Sequence, residues 1–343
     1  MVTSLLNPSP EEVRQGHPRL FEDLPPEGFS PEHKNPCWKP KSHFGNRGPD
    51  LECLPYAYIL GLPKCGSSDL WERLNKHELV LRADRKEVRF FTRGEFSDSA
   101  PRDGFLPAAM PLSDFTRHHG QAARSISSAR GEDDPVTNAI IVDGGPHTLW
   151  WSVQEPDGSW PEGAEGGRDR PKQMPIPLLL RGLQPQARMI VTLAEPVRRM
   201  YSDYYFLTSN SVAFDAEGKS PEDFDAIATA QMAEMRRCFR ERAVSEGGAE
   251  VQDHELLTNL PIRAEQSCAY DRYHFGRPGS GRICIGLYHA FLRRWLEVSC
   301  RTHPLFTPFH SIPLNFVAQH SSFSSKLTLA YSVSPHFVPR CFP

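Results

Sequence analysis

Ile59-Leu-Gly-Leu-Pro-Lys-Cys-Gly-Ser-Ser-Asp-Leu-Trp71 decides the fold of this chain. The apolar run Tyr56–Leu62 ends in Pro63-Lys64-Cys65-Gly66, and Ser67 and Ser68 then open an amphipathic segment. That order reads as strand, tight turn and helix N-terminus. The first turn of a helix carries unpaired N–H groups and the positive end of the macrodipole, so it attracts a phosphate or sulfate. Gly66 lets backbone approach such an anion, Lys64 adds a full charge, and the two serine hydroxyls can cap the helix or donate to a ligand. The order is not that of a Walker A loop, in which lysine directly follows the second glycine; here Lys64 precedes Gly66 by two residues. A plain strand–turn–helix connection is the bland alternative.

A second segment strengthens the anion reading. Arg188–Ala194 reads as a buried parallel strand, broken by Glu195-Pro196. Arg198, Arg199, Tyr201, Ser202, Asp203 and Tyr204 follow. Between the two segments lie Lys86-Glu87-Val-Arg-Phe-Phe91 and the run Ala139–Trp150, whose apolar start ends in Gly144-Gly145-Pro146. Near the end stands Ile285-Gly-Leu-Tyr-His-Ala-Phe-Leu-Arg-Arg-Trp-Leu296.

Taken in this order, these segments resemble the carbohydrate sulfotransferase family, which uses 3′-phosphoadenylyl sulfate. Within it the chain is most similar to the carbohydrate sulfotransferase 15 branch, an N-acetylgalactosamine 4-sulfate 6-O-sulfotransferase of chondroitin sulfate. Asn35-Pro-Cys-Trp38 and Leu54-Pro-Tyr56 support that branch. The resemblance implies an α/β, P-loop-like fold with a central, mainly parallel sheet flanked by helices. It assigns Lys64, Cys65, Gly66, Ser67 and Ser68 to the 5′-phosphosulfate loop, and Arg199 and Ser202 to the 3′-phosphate motif. It implies Glu87 as the base that accepts the sugar hydroxyl's proton, with Lys64 stabilising the leaving group. The chain departs from the family at Ala194, where an arginine usually pairs with the 3′-phosphate. Losing a charge-assisted contact costs about 1.5–3 kcal/mol unless Arg198 or Arg199 replaces it. Sulfuryl transfer is chemically akin to phosphoryl transfer, so positioning and electrostatics suffice and no metal is required.

Bulk composition narrows the partners. The chain has 343 residues, enough for one large domain with extensions, and a formal net charge of −3, which gives no argument for nucleic acid. A polyanionic glycan could still be held by a local basic patch, with Arg82, Arg85, Lys86, Arg89 and Arg93 as candidates. The acceptor implied by the resemblance is a sulfated glycosaminoglycan. No apolar run is long enough to span a membrane, and Met1–Gln15 shows no secretory signal. The family resemblance nevertheless implies a Golgi lumenal or membrane location. Spacing of the 8 cysteines fixes no pairing; Cys37–Cys53 and Cys238–Cys268 are the expected disulfides, and Cys65 is expected to pack as a small side chain.

Along the chain, residues 1–50 read as a Pro/Gly-rich extension that wraps the core. Residues 51–298 read as the sulfotransferase domain without its C-terminal portion, and 299–343 as an atypical tail lacking any Asp or Glu. Helices are expected at Ser67–His77, Gln173–Leu183, Pro221–Ala243 and Ile283–Val298. Residues 94–138 and Gln154–Lys172 are polar and read as loop-like, the former as a mobile substrate-side insertion. His147 is a second candidate base, and Trp150, Trp151 and Trp160 are candidate sugar-stacking residues. The competing function is a sulfotransferase-like binding protein that lacks turnover, motivated by Ala194 and the tail.

Overall fold

The structure is a computed structural model, which describes residues 10–40, 51–92, 111–129, 134–150, 176–210, 220–245, 262–270 and 282–300. Its centre is strand β3, Ala57–Gly61, all five residues of which are buried. An unbroken apolar strand of this kind is stable only when both faces are covered and both edges are paired. Here β5 (Ile140–Gly144) runs parallel on one side and β6 (Arg188–Val191) parallel on the other; β4 (Val80–Leu81) completes the order β4-β5-β3-β6. Tyr58 pairs with Asp143 and with Met189 across the two neighbours. The α/β class with a mainly parallel sheet, expected from the alternation of elements, is therefore present.

Helix α3 (Ser67–Leu74) follows β3 and buries Trp71, whose indole N–H donates to the Val142 carbonyl at 3.3 Å. It ends three residues before the expected His77: the backbone N–H of His77 bonds the Leu74 carbonyl in a closing turn. Helix α6 (Ile176–Leu183) lies within the expected 173–183 span and is largely buried. Helix α7 (Pro196–Asn210) follows β6, and α8 (Pro221–Ser245) extends two residues past the expected end. The expected helix at Ile283–Val298 is split. Ile283–Gly286 is a 3-10 turn, and the α-helix, here α10, runs Tyr288–Cys300. Cys284, Phe291 and Trp295 of the expected stripe are buried, and the Trp295 indole donates to the Leu149 carbonyl at 3.1 Å. Helix α9 (Ile262–Tyr270) is bound to α8 by the Cys238–Cys268 disulfide.

The N-terminal segment shares this core. Helices α1 (Pro10–Gly16) and α2 (Pro18–Phe21) bring Val13 and Phe21 against Gly182 of α6. Buried Asn35 accepts the backbone N–H of Ile141 and donates to the Ala139 carbonyl, both at 2.8 Å, so its amide stands in for a strand neighbour at the start of β5. Short strands β1 (Cys37–Trp38) and β2 (Glu52–Cys53) pair antiparallel, and the expected Cys37–Cys53 disulfide joins them.

Two expectations require correction. Arg188–Ala194 is not a buried strand: pairing ends at Val191 and its residues are part-exposed, because β6 lies at the edge of the sheet among the described residues. Within 94–138 the described part is not a mobile insertion. Helices α4 (Ser113–Thr116) and α5 (Gly120–Ser127) bury Phe115 against Phe90 and Phe91, and Ala122, Ala123 and Ile126 against the Cys37–Cys53 pair. Residues 93–110, Gln154–Lys172, Trp151, Trp160 and 301–343 lie outside the described residues. Among the described residues no helix is long and apolar enough to cross a membrane.

Candidate active site

The C-terminal ends of the parallel strands carry the candidate site, as in open α/β sheets generally. The turn after β3 is fixed from below. The Thr192 backbone N–H and hydroxyl both donate to the Gly61 carbonyl, at 2.8 and 2.9 Å, and the Leu62 N–H returns a bond to the Thr192 carbonyl at 2.9 Å. Gly61 has φ +129°, and a Cβ there would stand 2.2 Å from the Pro146 carbonyl oxygen, so only glycine fits. Lys64 and Gly66 both have left-handed backbones, with φ of 64° and 81°. Gly66 is exposed and nothing lies within 4 Å of where its Cβ would be. The N-terminus of α3 has no side-chain cap, Ser68 is exposed, and Ser67 is buried. The turn thus leaves the Gly66 backbone and Ser68 exposed and Lys64 part-exposed, with open space over Gly66.

Cys65 faces the other way. It is buried, its thiol is 3.9 Å from the Tyr288 hydroxyl, and burial pushes the thiol's pKa up. It packs the underside of the turn; the Tyr288 hydroxyl in turn donates to the Ala194 carbonyl at 2.8 Å. A side-chain contact from Cys65 to a ligand is not part of this arrangement.

Lys64 reaches α7. Its ammonium lies 4.1 Å from the centre of the exposed Phe206 ring, a cation–π contact. Ser202 stands one helical turn before Phe206, on the same face. The structure therefore brings the lysine of the first segment to the serine-bearing face of the second. Arg199 behaves differently. Its side chain is wholly buried: it donates to Asp203 at 3.0 Å and to the Arg282 carbonyl at 2.9 Å. Arg282 clasps the same carboxylate through Nε at 2.7 Å and through Nη2. Arg199 thus holds α7 to the Arg282 segment and does not face a ligand as the resemblance implied. Arg198 is the exposed arginine of the pair. The first turn of α7 is already occupied, since the Glu195 carboxylate accepts the backbone N–H of Val197 at 3.0 Å and of Arg198 at 2.7 Å.

Glu87 stands at the end of the neighbouring strand. Its N–H donates to the Gly144 carbonyl at 3.0 Å, and its backbone is left-handed, φ 62°. Its carboxylate meets Lys86 at 2.6 Å and Arg89 at 3.4 Å, all three part-buried. Lys86 packs its stem over Gly144 beside Trp71 of α3. Arg82 pairs with Glu72 at 3.1 Å, leaving the proposed basic patch partly neutralised. His147 and Trp150 are buried, with rings 6.1 Å apart. Sequence reasoning passed over Asp143, which is wholly buried on β5, with Oδ1 lacking a hydrogen-bond partner. Its signal in the sequence is a lone acid inside the apolar run that begins at Ile140.

The central strand of the α/β sheet thus ends in a lysine-bearing turn, with the Ser202 face of α7 beside it and the Glu87 carboxylate next to the end of β5. By sequence the chain is similar to carbohydrate sulfotransferases. It is 29% identical over 267 residues to carbohydrate sulfotransferase 15 of Homo sapiens, covering 76% of this chain and 41% of that protein. The match to carbohydrate sulfotransferase 15 of Mus musculus is 29% over 266 residues, with the same coverage. The chain therefore spans about two-fifths of the length of the curated relatives it matches. No family model matches the chain. A sulfotransferase from Alicyclobacillus acidocaldarius, known from its crystal structure, aligns at TM-score 0.37 and 17% identity, covering 71% of this chain and 69% of that one.

Proposed function

We propose that this chain transfers a sulfo group from 3′-phosphoadenylyl sulfate to a hydroxyl of a glycan, of the chondroitin or dermatan glycosaminoglycan type. The observation that carries the reading is the open turn Pro63–Ser68 joined through Lys64 and Phe206 to the face of α7 that bears Ser202. The donor's 5′-phosphosulfate would lie against the N–H groups of Gly66–Ser68 and the Lys64 ammonium, where a helix N-terminus and a cation act together. Ser202 and Arg198 are the groups for the 3′-phosphate, in place of the buried Arg199.

In the reaction the sulfur–oxygen bond to the phosphate breaks as one forms to the sugar oxygen. Glu87 takes the hydroxyl proton, a role contributing ~10²–10⁴-fold. The charge left on the departing phosphate is met by Lys64 and backbone dipoles, with no metal invoked. The glutamate's pairing with Lys86 and Arg89, and its backbone bond to Gly144 at the end of β5, support this role. Two disulfides suit an oxidising compartment, which supports a Golgi lumenal location.

Transfer of labelled sulfate from the donor to chondroitin sulfate tests the reading. Lys64→Ala should lower turnover by roughly 10²–10³-fold, the scale of losing one preorganised charge-stabilising group. Glu87→Ala should lower it comparably while leaving adenosine 3′,5′-bisphosphate binding intact. Full turnover in both variants would refute the assigned roles.

A further inference from the structure

The charged cluster beside the anion turn contains one group that the proposed chemistry has not used. Asp143 is the second-to-last residue of β5, opposite Tyr58 of β3. Its side chain is buried and its Oδ1 has no partner, an arrangement that is costly unless the group has a task. The next residue, Gly144, supplies the carbonyl that anchors the Glu87 backbone, and the Lys86 stem lies over that glycine. Lys86 and Glu87 are the charged groups whose fields reach Asp143, and the Tyr58 phenol feels Asp143 in turn.

Glu87 alone is poorly arranged to act as a base. Its Oε1 is closed by the Lys86 ammonium at 2.6 Å and its Oε2 faces Arg89 at 3.4 Å, so neither oxygen is open to an acceptor hydroxyl. Something must draw the lysine off. We propose that Asp143 is a positioning residue for Glu87: its buried carboxylate attracts Lys86, loosens the Lys86–Glu87 pair and leaves an oxygen of Glu87 open to the acceptor hydroxyl. This rests on the reading of Glu87 as the base. Burial pushes the Asp143 carboxyl up to about 6, Lys86 and the Gly144 N–H pull it back, and Glu87 pushes it further up. Asp143 is thus charged above about pH 6 and neutral below it, so the attraction on Lys86 is present at neutral pH and is lost as the solution is acidified through that value.

The test has two arms on the full chain. In the first, protein carrying ¹³C-carboxyl aspartate is titrated by NMR, with Asp143→Asn used to assign the signal. Asp143 should titrate near pH 6, its midpoint rising in Lys86→Gln, which removes the attraction, and falling in Glu87→Gln, which removes the repulsion. An ordinary aspartate midpoint, or one that ignores both substitutions, overturns the proposal whether or not Asp143→Asn folds. In the second, sulfate transfer to chondroitin sulfate is followed against pH. Asp143→Asn should lower kcat roughly tenfold, inside the range of general-base effects, and remove the limb near pH 6. Adding Lys86→Gln to Asp143→Asn should restore turnover, a rescue that a purely structural aspartate would not show. Turnover surviving in Glu87→Gln while the Asp143 midpoints shift as stated would sink only the assignment of Glu87 as base; unshifted midpoints sink the present proposal.

Discussion

Two adjacent units of this molecule share one plan and have opposite fates. In each, a parallel strand of the same sheet ends, a short turn follows, and a helix begins. After β3 the helix starts at an exposed left-handed glycine, and no side chain among the described residues caps its first N–H groups. After β6 the helix carries its own anion, because Glu195 accepts two of those N–H groups. The contrast continues with the cations. Lys64 sits part-exposed on an aromatic ring, whereas Arg199 is sealed between Asp203 and the Arg282 carbonyl. Topology alone therefore does not make an anion site; one must ask whether the chain has already satisfied the helix end.

That contrast can be broken most severely at Asp203. Two buried guanidiniums share its carboxylate, so Asp203→Ala would leave both without a counter-ion. Removing one partner of a buried pair costs about 3–5 kcal/mol. Denaturant unfolding should show a loss of that size, and a loss near zero would mean that the buried cluster does not hold α7. A smaller change sharpens the contrast from the other side. Glu195→Ala uncaps α7 and should cost about 0.5–2 kcal/mol, the usual range for a lost cap. Calorimetry of the same variant should find adenosine 3′,5′-bisphosphate bound at least as tightly as before, since the competing carboxylate is gone. Weaker binding would show that Glu195 belongs to the ligand site. The smallest effect is expected at Phe206. Replacing it by Leu removes an exposed cation–π contact worth about 0.5–1 kcal/mol, so bisphosphate affinity should fall about two- to fivefold, with Trp at this position restoring it.

The unequal legibility of the two units has a physical cause. The strand, turn and helix of the first unit are readable because the signals are local: an apolar run, a proline, a lysine, a glycine and two serines within the thirteen residues Tyr56–Ser68. The second misled because its decisive contact is remote. Arg199 and Asp203 stand four apart, a spacing that signals a helical ion pair, but Arg282 arrives from 79 residues away and turns an exposed pair into a buried cluster. The apolar run from Met189 likewise suggested a buried strand, whereas it lies at the edge of the sheet. Helix α5 was hidden for a different reason: it buries Ala122, Ala123 and Ile126, small side chains that leave little trace in a polar stretch. Both disulfides were found, although spacing could not have chosen them. Asp143 went unweighed because one acid in an apolar strand looks like noise until its burial is known.

Gly61 has a consequence of its own. The Pro146 carbonyl fills the space where any other residue would keep its first side-chain carbon. The bend leading to Lys64 and the bend leading away from Asp143 therefore touch main chain to main chain, with no cushion between them. A shift in either bend presses directly on the other, so the turn proposed for the donor and the strand end proposed for the acceptor are braced against each other. A methyl group at position 61 would be a wedge driven between them.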